Sequence, residues 1–402
     1  MMRFLIGFLG AVVVAFSADV HLVIPAGATV SGPYSAGLLA NDFLYISGLK
    51  PAGPDGRIAP DFSAQMRQAL DNVKAVVQAG GLTMRHVVYA HVYLTNMANY
   101  REMNRLWAQA FPDAPPARAV LGVYSLPGDA LVEITAVAFR DLARRRVLVP
   151  QGYPEGPASP GVIAGEKVYL SGFLGAALDG KIPDDPVMQV EMAFDHMKTT
   201  LAVAGLDYRH VVFVNPYLTN KVAGIMNKIY ASHFEFNNTP GRATIRANSL
   251  PLGANIEFTG VAVLDLSKRR AIRPKNMAPS ATASPCVWGD DTYYCSSKSA
   301  FIRGPNLGIY MPTVGAQVRQ TMRNLLDGLE EAGLKFSNVV SANVYLDDIN
   351  DLAEMNRVYA QYFPELKPTR TTVAQLPPRG NRNPVRDDVY PSLEQISLIA
   401  VR

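Results

Sequence analysis

The chain states one pattern three times. It reads AGGLTMRHVVYAHVYLTN around Gly81, VAGLDYRHVVFVNPYLTN around Gly205 and EAGLKFSNVVSANVYLDD around Gly333; from 81 to 205 is 124 residues and from 205 to 333 is 128. A Pro-x-Arg element keeps the same period, ending at Arg118, Arg242 and Arg370. Two independent landmarks with one period mean three tandem copies of one domain. The period is too long for a solenoid unit of about 20–50 residues, and it matches an ordinary globular domain. The copies are expected at 19–145, 146–272 and 273–402, behind a leader at 1–18.

That leader carries Arg3, an apolar run from Phe4 to Phe16, and small residues at Ala15, Ser17 and Ala18. This is the layout of a secretory signal cleaved near Ser17 or Ala18. The run is short of the roughly 20 residues that a membrane span needs, although an uncleaved anchor is the alternative. A periplasmic or secreted protein is expected, with no membrane span in its mature form. Of 402 residues, 49% are hydrophobic, enough for three cores. Net charge is only +4, and basic residues gather at the joins, Arg140 to Arg146 and Asp265 to Lys275. Without interleaved aromatics these read as solvated linkers rather than a nucleic-acid patch.

The two cysteines fall in CVWGDDTYYC. If Asp290 and Asp291 form a two-residue hairpin tip, Cys286 faces Cys295 across the strands, with Cβ atoms about 4.5–5.5 Å apart. That separation suits a disulfide in an oxidising compartment; two buried free thiols are the other possibility.

Each copy opens with apolar runs around Asn41–Asp42, Gly165–Glu166 or Asp290–Asp291, which predicts a β-hairpin. A helix follows, striped in the first copy by Met66, Ala69, Leu70, Val73, Val76 and Val77. Gly81, Gly205 and Gly333 suit the reversal after it. Next come a strand (VVYAHVYL in the first copy), a helix with aromatics four residues apart such as Trp107 and Phe111, and two closing strands. The order predicts an α+β sandwich with both helices on one face of a mixed sheet. A lone copy would expose its other sheet face. Three copies can hide those faces against one another, the tether supplying an effective concentration on the order of millimolar. A pseudo-threefold intramolecular trimer is expected, with no further oligomerisation required.

The first copy contains, in order, SGPYSAG, YISGLKP, AQMRQALDNVKAVVQAGGL, VYLTN, PARAV and VEITAVA. With these segments the chain, from about residue 24 to 402, resembles the RidA/YjgF family of homotrimeric enamine/imine deaminases with a chorismate-mutase-like fold. The resemblance implies sites in clefts between neighbouring units, each centred on the Pro-x-Arg arginine: Arg118, Arg242 and Arg370. A planar guanidinium grips a carboxylate through two parallel hydrogen bonds; an inter-domain salt bridge is the competing role. The aromatic implied above the ligand is Tyr34, where the other copies have Ala158 and Ala283. The implied Ser-Gly pair that approaches the ligand is Ser47 and Gly48, and Ser171 and Gly172; the third copy has Ser296 and Ser297, and a side chain obstructs such an approach.

The resemblance also implies a glutamate in the last strand, at the register of Thr135, Thr259 and Ser397. Hydroxyls there can position a water but cannot act as a general base. The preceding acids, Glu133 and Glu257, are expected on the opposite strand face. Two functions stay open: hydrolytic deamination of small carboxylate-bearing enamines or imines to 2-keto acids and ammonia, best at a cleft joining Arg118 and Tyr34, or non-catalytic binding of a carboxylate metabolite. Ribonuclease action, sometimes attached to the family, finds no basic groove. No metal or cofactor is expected: the six histidines are scattered, His86 and His210 suit structural roles, and no phosphate loop appears. The stretch from Pro378 to Ser392 is expected as an exposed loop at the rim of one cleft.

Overall fold

In a computed structural model, which describes residues 19–26, 32–275, 277–303 and 307–402, each repeat forms its own sheet. The leader expected at 1–18 lies outside the described residues. The first copy comprises β1 (Val20–Val23), β2 (Gly37–Ala40), β3 (Phe43–Leu49), α1 (Phe62–Ala79), β4 (Val87–Leu94), α2 (Tyr100–Ala110), β5 (Ala117–Gly122) and β6 (Val132–Phe139). The second has β7 (Arg145–Leu148), β8 (Gly161–Ala164), β9 (Lys167–Leu174), α3 (Pro186–Ala202), β10 (Val211–Leu218), α4 (Met226–His233), β11 (Gly241–Arg242), β12 (Ile245–Arg246) and β13 (Ile256–Val263). The third has β14 (Arg269–Ile272), β15 (Cys286–Gly289), β16 (Thr292–Lys298), α5 (Val314–Glu331), β17 (Val339–Leu346), α6 (Leu352–Tyr359), β18 (Thr369–Ala374) and β19 (Glu394–Val401).

The strand order is β1-β2-β3-β6-β4-β5 in the first copy and β14-β15-β16-β19-β17-β18 in the third; β7-β8-β9-β13-β10 follows it in the second, with β11 and β12 both beside β10. The arginine strand pairs parallel with its neighbour and the rest are antiparallel, so each sheet is mixed. Local chemistry sets the helices. Asp61 caps α1 by accepting from Ala64 N, the striped residues bury, and Gly81 takes φ 75° for the reversal.

The joins differ from the linkers expected. They carry β7 and β14, short edge strands that open the next sheet. Their arginines reach back to the preceding copy: Arg145 donates to Ala114 O at 2.7 Å, and Arg269 to Val211 O at 2.8 Å and Asn238 O at 2.7 Å. Basic residues gather here because they satisfy orphan carbonyls, not only because water solvates them. The loop at 378–392 is held to its own copy, where Arg379 meets Asp347 at 2.8 Å and Arg382 meets Asp351 at 2.9 Å.

Three apolar cores lie between helices and sheets, one per copy. Two further clusters draw residues from all three copies. One includes Phe43, Phe139, Tyr169, Phe213, Val287 and Tyr294; the other is centred on Tyr93, Tyr217 and Tyr345. The sheet faces that a lone copy would expose are thus buried on a shared axis, and the chain is an intramolecular pseudo-trimer. The cysteines face each other in the β15–β16 register and form a disulfide.

At one end of the axis the three hairpin turns meet through unlike residues. Lys167 Nζ, 1% exposed, lies 2.7 Å from Asp291 of the third copy and over the Phe43 ring of the first. Asn41 of the first copy donates to the same carboxylate at 2.8 Å. Asp291→Ala strands a buried ammonium and should lower unfolding stability by about 2–3 kcal/mol, discounted because that carboxylate is a third exposed. Lys167→Met should cost much less, since it removes the charge that needs a partner. Denaturant titration of both variants checks the asymmetry; equal losses would contradict it.

Candidate active site

Every seam between copies is closed by one serine. Ser171 Oγ accepts from Arg118 N, Ser296 Oγ from Arg242 N and Ser47 Oγ from Arg370 N, each at 2.8 Å. The same hydroxyls donate to Ser159 O, Ser284 O and Ser35 O within their own copies. The order is therefore first copy onto second, second onto third, and third back onto first. The Ser47 and Ser171 hydroxyls are thus bonded within the protein and set the arginine strand in register, while the backbone approach to a ligand expected of these Ser-Gly pairs is a separate matter.

None of the three arginines pairs with a carboxylate among the described residues, so the salt-bridge role is not realised. Arg118 is 6% exposed, lies over Trp107, and donates to Asn104 Oδ1 at 2.6 Å. Arg242 lies over Tyr230 and donates to Asn227 Oδ1 at 2.8 Å. Arg370, 5% exposed, is held differently: it sits between the Tyr34 and Tyr359 rings, 5.2 and 5.1 Å from their centroids. Tyr34 therefore serves Arg370 across the closing seam, not Arg118 as expected from its own copy. The ring closes onward from each arginine, a direction that one repeat does not encode.

The last strand requires a second correction. Residues 133 and 135 are two apart and so share a strand face; Glu133 lies beside Arg370, while Thr135 lies farther along toward the axis. Thr135 Oγ1 donates to Ile46 O at 2.6 Å and lines an axial chamber with Tyr45, His91, Asn215 and Asn343. Thr259 Oγ1 donates to Leu170 O at 2.7 Å and meets Tyr89 OH. Neither threonine belongs to an arginine cleft. Glu133 and Glu257 do, and each lies against the glycine of its own copy: a Cβ at Gly48 or Gly172 would collide with the carboxylate. That is the close approach glycine permits here. In the third copy Ser297 replaces the glycine and Gln395 the acid, and the two side chains bond to each other.

The three seams are therefore unequal. Between the first and second copies, Glu257 Oε1 accepts from Val120 N at 3.1 Å and Arg118 is bound by Asn104. Between the second and third, Gln395 stands where the other seams have the acid. Between the third and first, a recess with about 370 Å³ of unfilled space, counting the part open to solvent, is lined by Tyr34, Gly48, Lys50, Glu133, Asn356 and Arg370, with Pro127, Leu352 and Thr372. Glu133 Oε1, Asn356 Oδ1 and Thr372 Oγ1 are all buried there without a partner. Buried polar atoms normally find partners, so three at one cation mark a place where a polar ligand or water completes the set. At the first seam Arg118 Nε and Glu257 Oε2 are likewise buried without a partner, and at the second Thr244 Oγ1 is.

Burial pushes the Glu133 carboxyl up to about 8, against Lys50 and Arg370, which pull it down. Burial raises Glu257 to about 8 as well. Burial lowers Arg370, while Tyr359, Tyr34 and Glu133 counter it. A carboxyl poised near neutrality beside a fixed guanidinium can exchange a proton with whatever the guanidinium holds. His86 and His210 accept from Thr83 N and Asp207 N, capping turns as expected. Among the described residues no cluster of three His, Cys, Asp or Glu could hold a metal, and no helix is long and apolar enough to cross a membrane.

Three α+β copies around a shared axis, with an arginine at each seam, define a tandem pseudo-trimer of the RidA/YjgF type. The family model described as Endoribonuclease L-PSP matches residues 26–140, 151–264 and 277–381, and the chain belongs to that family. A RutC family protein of Pyrococcus horikoshii is 39% identical over 112 residues, 27% of this chain and 89% of its own length. A RutC family protein of Sulfurisphaera tokodaii is 39% identical over 108 residues, 26% and 86% respectively. Among solved structures, the Rid-family protein YyfA of Yersinia pestis is 34% identical with a TM-score of 0.30, covering 30% of this chain and 99% of its own.

A glutamic acid whose carboxyl titrates near 8 in the fold, against an ordinary 4.5, binds more protons folded than unfolded between those values. Its stabilising effect is complete below about 4.5 and is lost as pH rises through about 8. Glu257 and Glu394 share the pattern. The melting temperature should therefore fall across this window, and Glu133→Gln should remove roughly one third of that fall. Calorimetric scans from pH 5 to about 9 read the slope; an unchanged slope in the variant would place Glu133 in water.

Proposed function

We propose that the chain is a hydrolytic deaminase of small carboxylate-bearing imines and enamines, working at the seam between the third and first copies. The observation that carries this is the convergence of Arg370, Glu133 and the unpartnered Asn356 and Thr372 oxygens on one recess. Family membership, generally linked to imine or enamine deamination or to endoribonuclease-like action, supports the reaction class. Arg370 would bind the substrate carboxylate, with Tyr34 packed on the guanidinium face. An enamine first gains a proton at carbon to become the iminium ion. Water then adds: its oxygen bonds to the iminium carbon while the Glu133 carboxylate takes one proton. Glu133 returns that proton to nitrogen, the carbon–nitrogen bond breaks, and the remaining hydroxyl proton leaves with the nitrogen. The products are a 2-keto acid and ammonium.

Hydrolysis is assigned to this seam alone, because Gln395 cannot exchange a proton and Arg118 and Arg242 are already bonded to Asn104 and Asn227. An export leader at residues 1–18 would place the reaction outside the cytoplasm. The test is the decay of 2-iminobutyrate generated in situ. Arg370→Met and Glu133→Gln should each slow it by about 100-fold or more, while Arg242→Met should stay within about threefold of the parent protein. Decay no faster than in buffer would leave a carboxylate-binding protein; activity lost with Arg242→Met instead would move the site to another seam.

A further inference from the structure

We infer that this recess is built for an imine bearing two carboxylates, with Lys50 receiving the second. The inference rests on the deaminase reading of the same cleft. Lys50 lines the recess together with the arginine assigned to the first carboxylate. Its backbone is fixed by Asn72, which donates to Lys50 O at 2.8 Å, and its ammonium passes close to Gly128 in the turn after Pro127. Among the described residues it forms no ion pair. Glu133 also lines the recess, and both cations act on its carboxyl, Lys50 more than Arg370.

Two cations share a half-enclosed recess with one carboxyl that burial favours in its protonated form. Unbalanced charge of one sign in a poorly solvated site is costly. A monocarboxylate offsets one cation and leaves the other, whereas a dicarboxylate offsets both. Nothing in the fold requires a lysine at this position, because the register-equivalent residues are Leu174 in the second copy and Ser299 in the third. The lysine occurs only at the seam that also has Tyr34, Glu133 and an arginine released from its asparagine. A compact ammonium on a four-carbon stem suits a second carboxylate whose distance from the first varies.

The test compares imines generated in situ from aspartate and glutamate with 2-iminobutyrate, using the full chain, Lys50→Leu and Lys50→Arg. The parent protein should process at least one dicarboxylic imine with kcat/KM about tenfold above 2-iminobutyrate. Lys50→Leu should erase that ratio, mainly through KM, and Lys50→Arg should restore most of it. Equal kcat/KM in the parent protein, or a ratio that survives Lys50→Leu, overturns the inference. Equilibrium binding of succinate and butyrate separates it from the reaction assigned above. If no imine is hydrolysed but succinate binds about tenfold tighter than butyrate in a Lys50-dependent way, the two-anion site stands and the deaminase reading fails. If 2-iminobutyrate is hydrolysed but succinate and butyrate bind alike, the deaminase reading stands and the two-anion site fails.

Discussion

A serine hydroxyl at each seam ties the molecule together. It donates to a carbonyl of its own copy and accepts the backbone N–H of the arginine in the preceding copy. A buried N–H left unpaired costs about 1–3 kcal/mol, so this bond holds the arginine strand against its neighbour at one register. The arginine side chain is then fixed relative to the glycine beside the serine, and the glycine relative to the glutamate that fills the space a Cβ would take. One neutral hydrogen bond, repeated three times, places the arginine of one copy beside the last strand of the next, which carries a glutamate there in the first two copies and Gln395 in the third.

Fusion lets the seams diverge. In a trimer of identical chains, a residue that suits one seam is imposed on all three. Here Lys167 of one turn meets Asp291 of another and Asn41 of a third, a combination that no identical set could make. The same freedom shows in the clefts. Ser297 and Gln395 close one seam with a neutral contact; Asn104 binds the arginine of another; Lys50, Tyr34 and Glu133 gather at the last. The first seam keeps its acid but loses the aromatic, with Ala158 standing where Tyr34 would be. Polar satisfaction has advanced furthest where an open cleft is absent, as expected when a site no longer needs unpaired groups.

Much of this was legible in residues alone. The period announced the copies, the Asp290–Asp291 tip placed Cys286 opposite Cys295, and the family resemblance pointed to the Pro-x-Arg arginines as the seam cations. Information that lives between copies was not legible. Tyr34 and Arg118 lie in one repeat, yet Tyr34 meets Arg370, because which neighbour a copy docks onto depends on the handedness of the ring. The basic joins concealed strands because RRVL and RRAI carry too few apolar residues to announce an edge. Glu133 could have been found by counting: two residues along a strand return to one face, so an acid two places from Thr135 points to the same side of the sheet.

That count also explains why acid and hydroxyl do different work. Two residues of strand span about 7 Å, enough to carry Thr135 into the axial chamber while Glu133 remains at the seam. Near the axis all three copies contribute hydroxyls and aromatics, and the threonine there is held by its own copy, donating to Ile46 O. At the seam only two copies meet; Glu133 fills the space a Cβ of Gly48 would take, and the recess opens beside it, lined by Tyr34, Lys50, Asn356 and Arg370. Burial raises the carboxyl of the glutamate there to about 8, and its Oε1 is buried in the recess without a partner. Packing of apolar side chains on the axis joins the three copies, and the pairing of acid with cation falls at the seams around it.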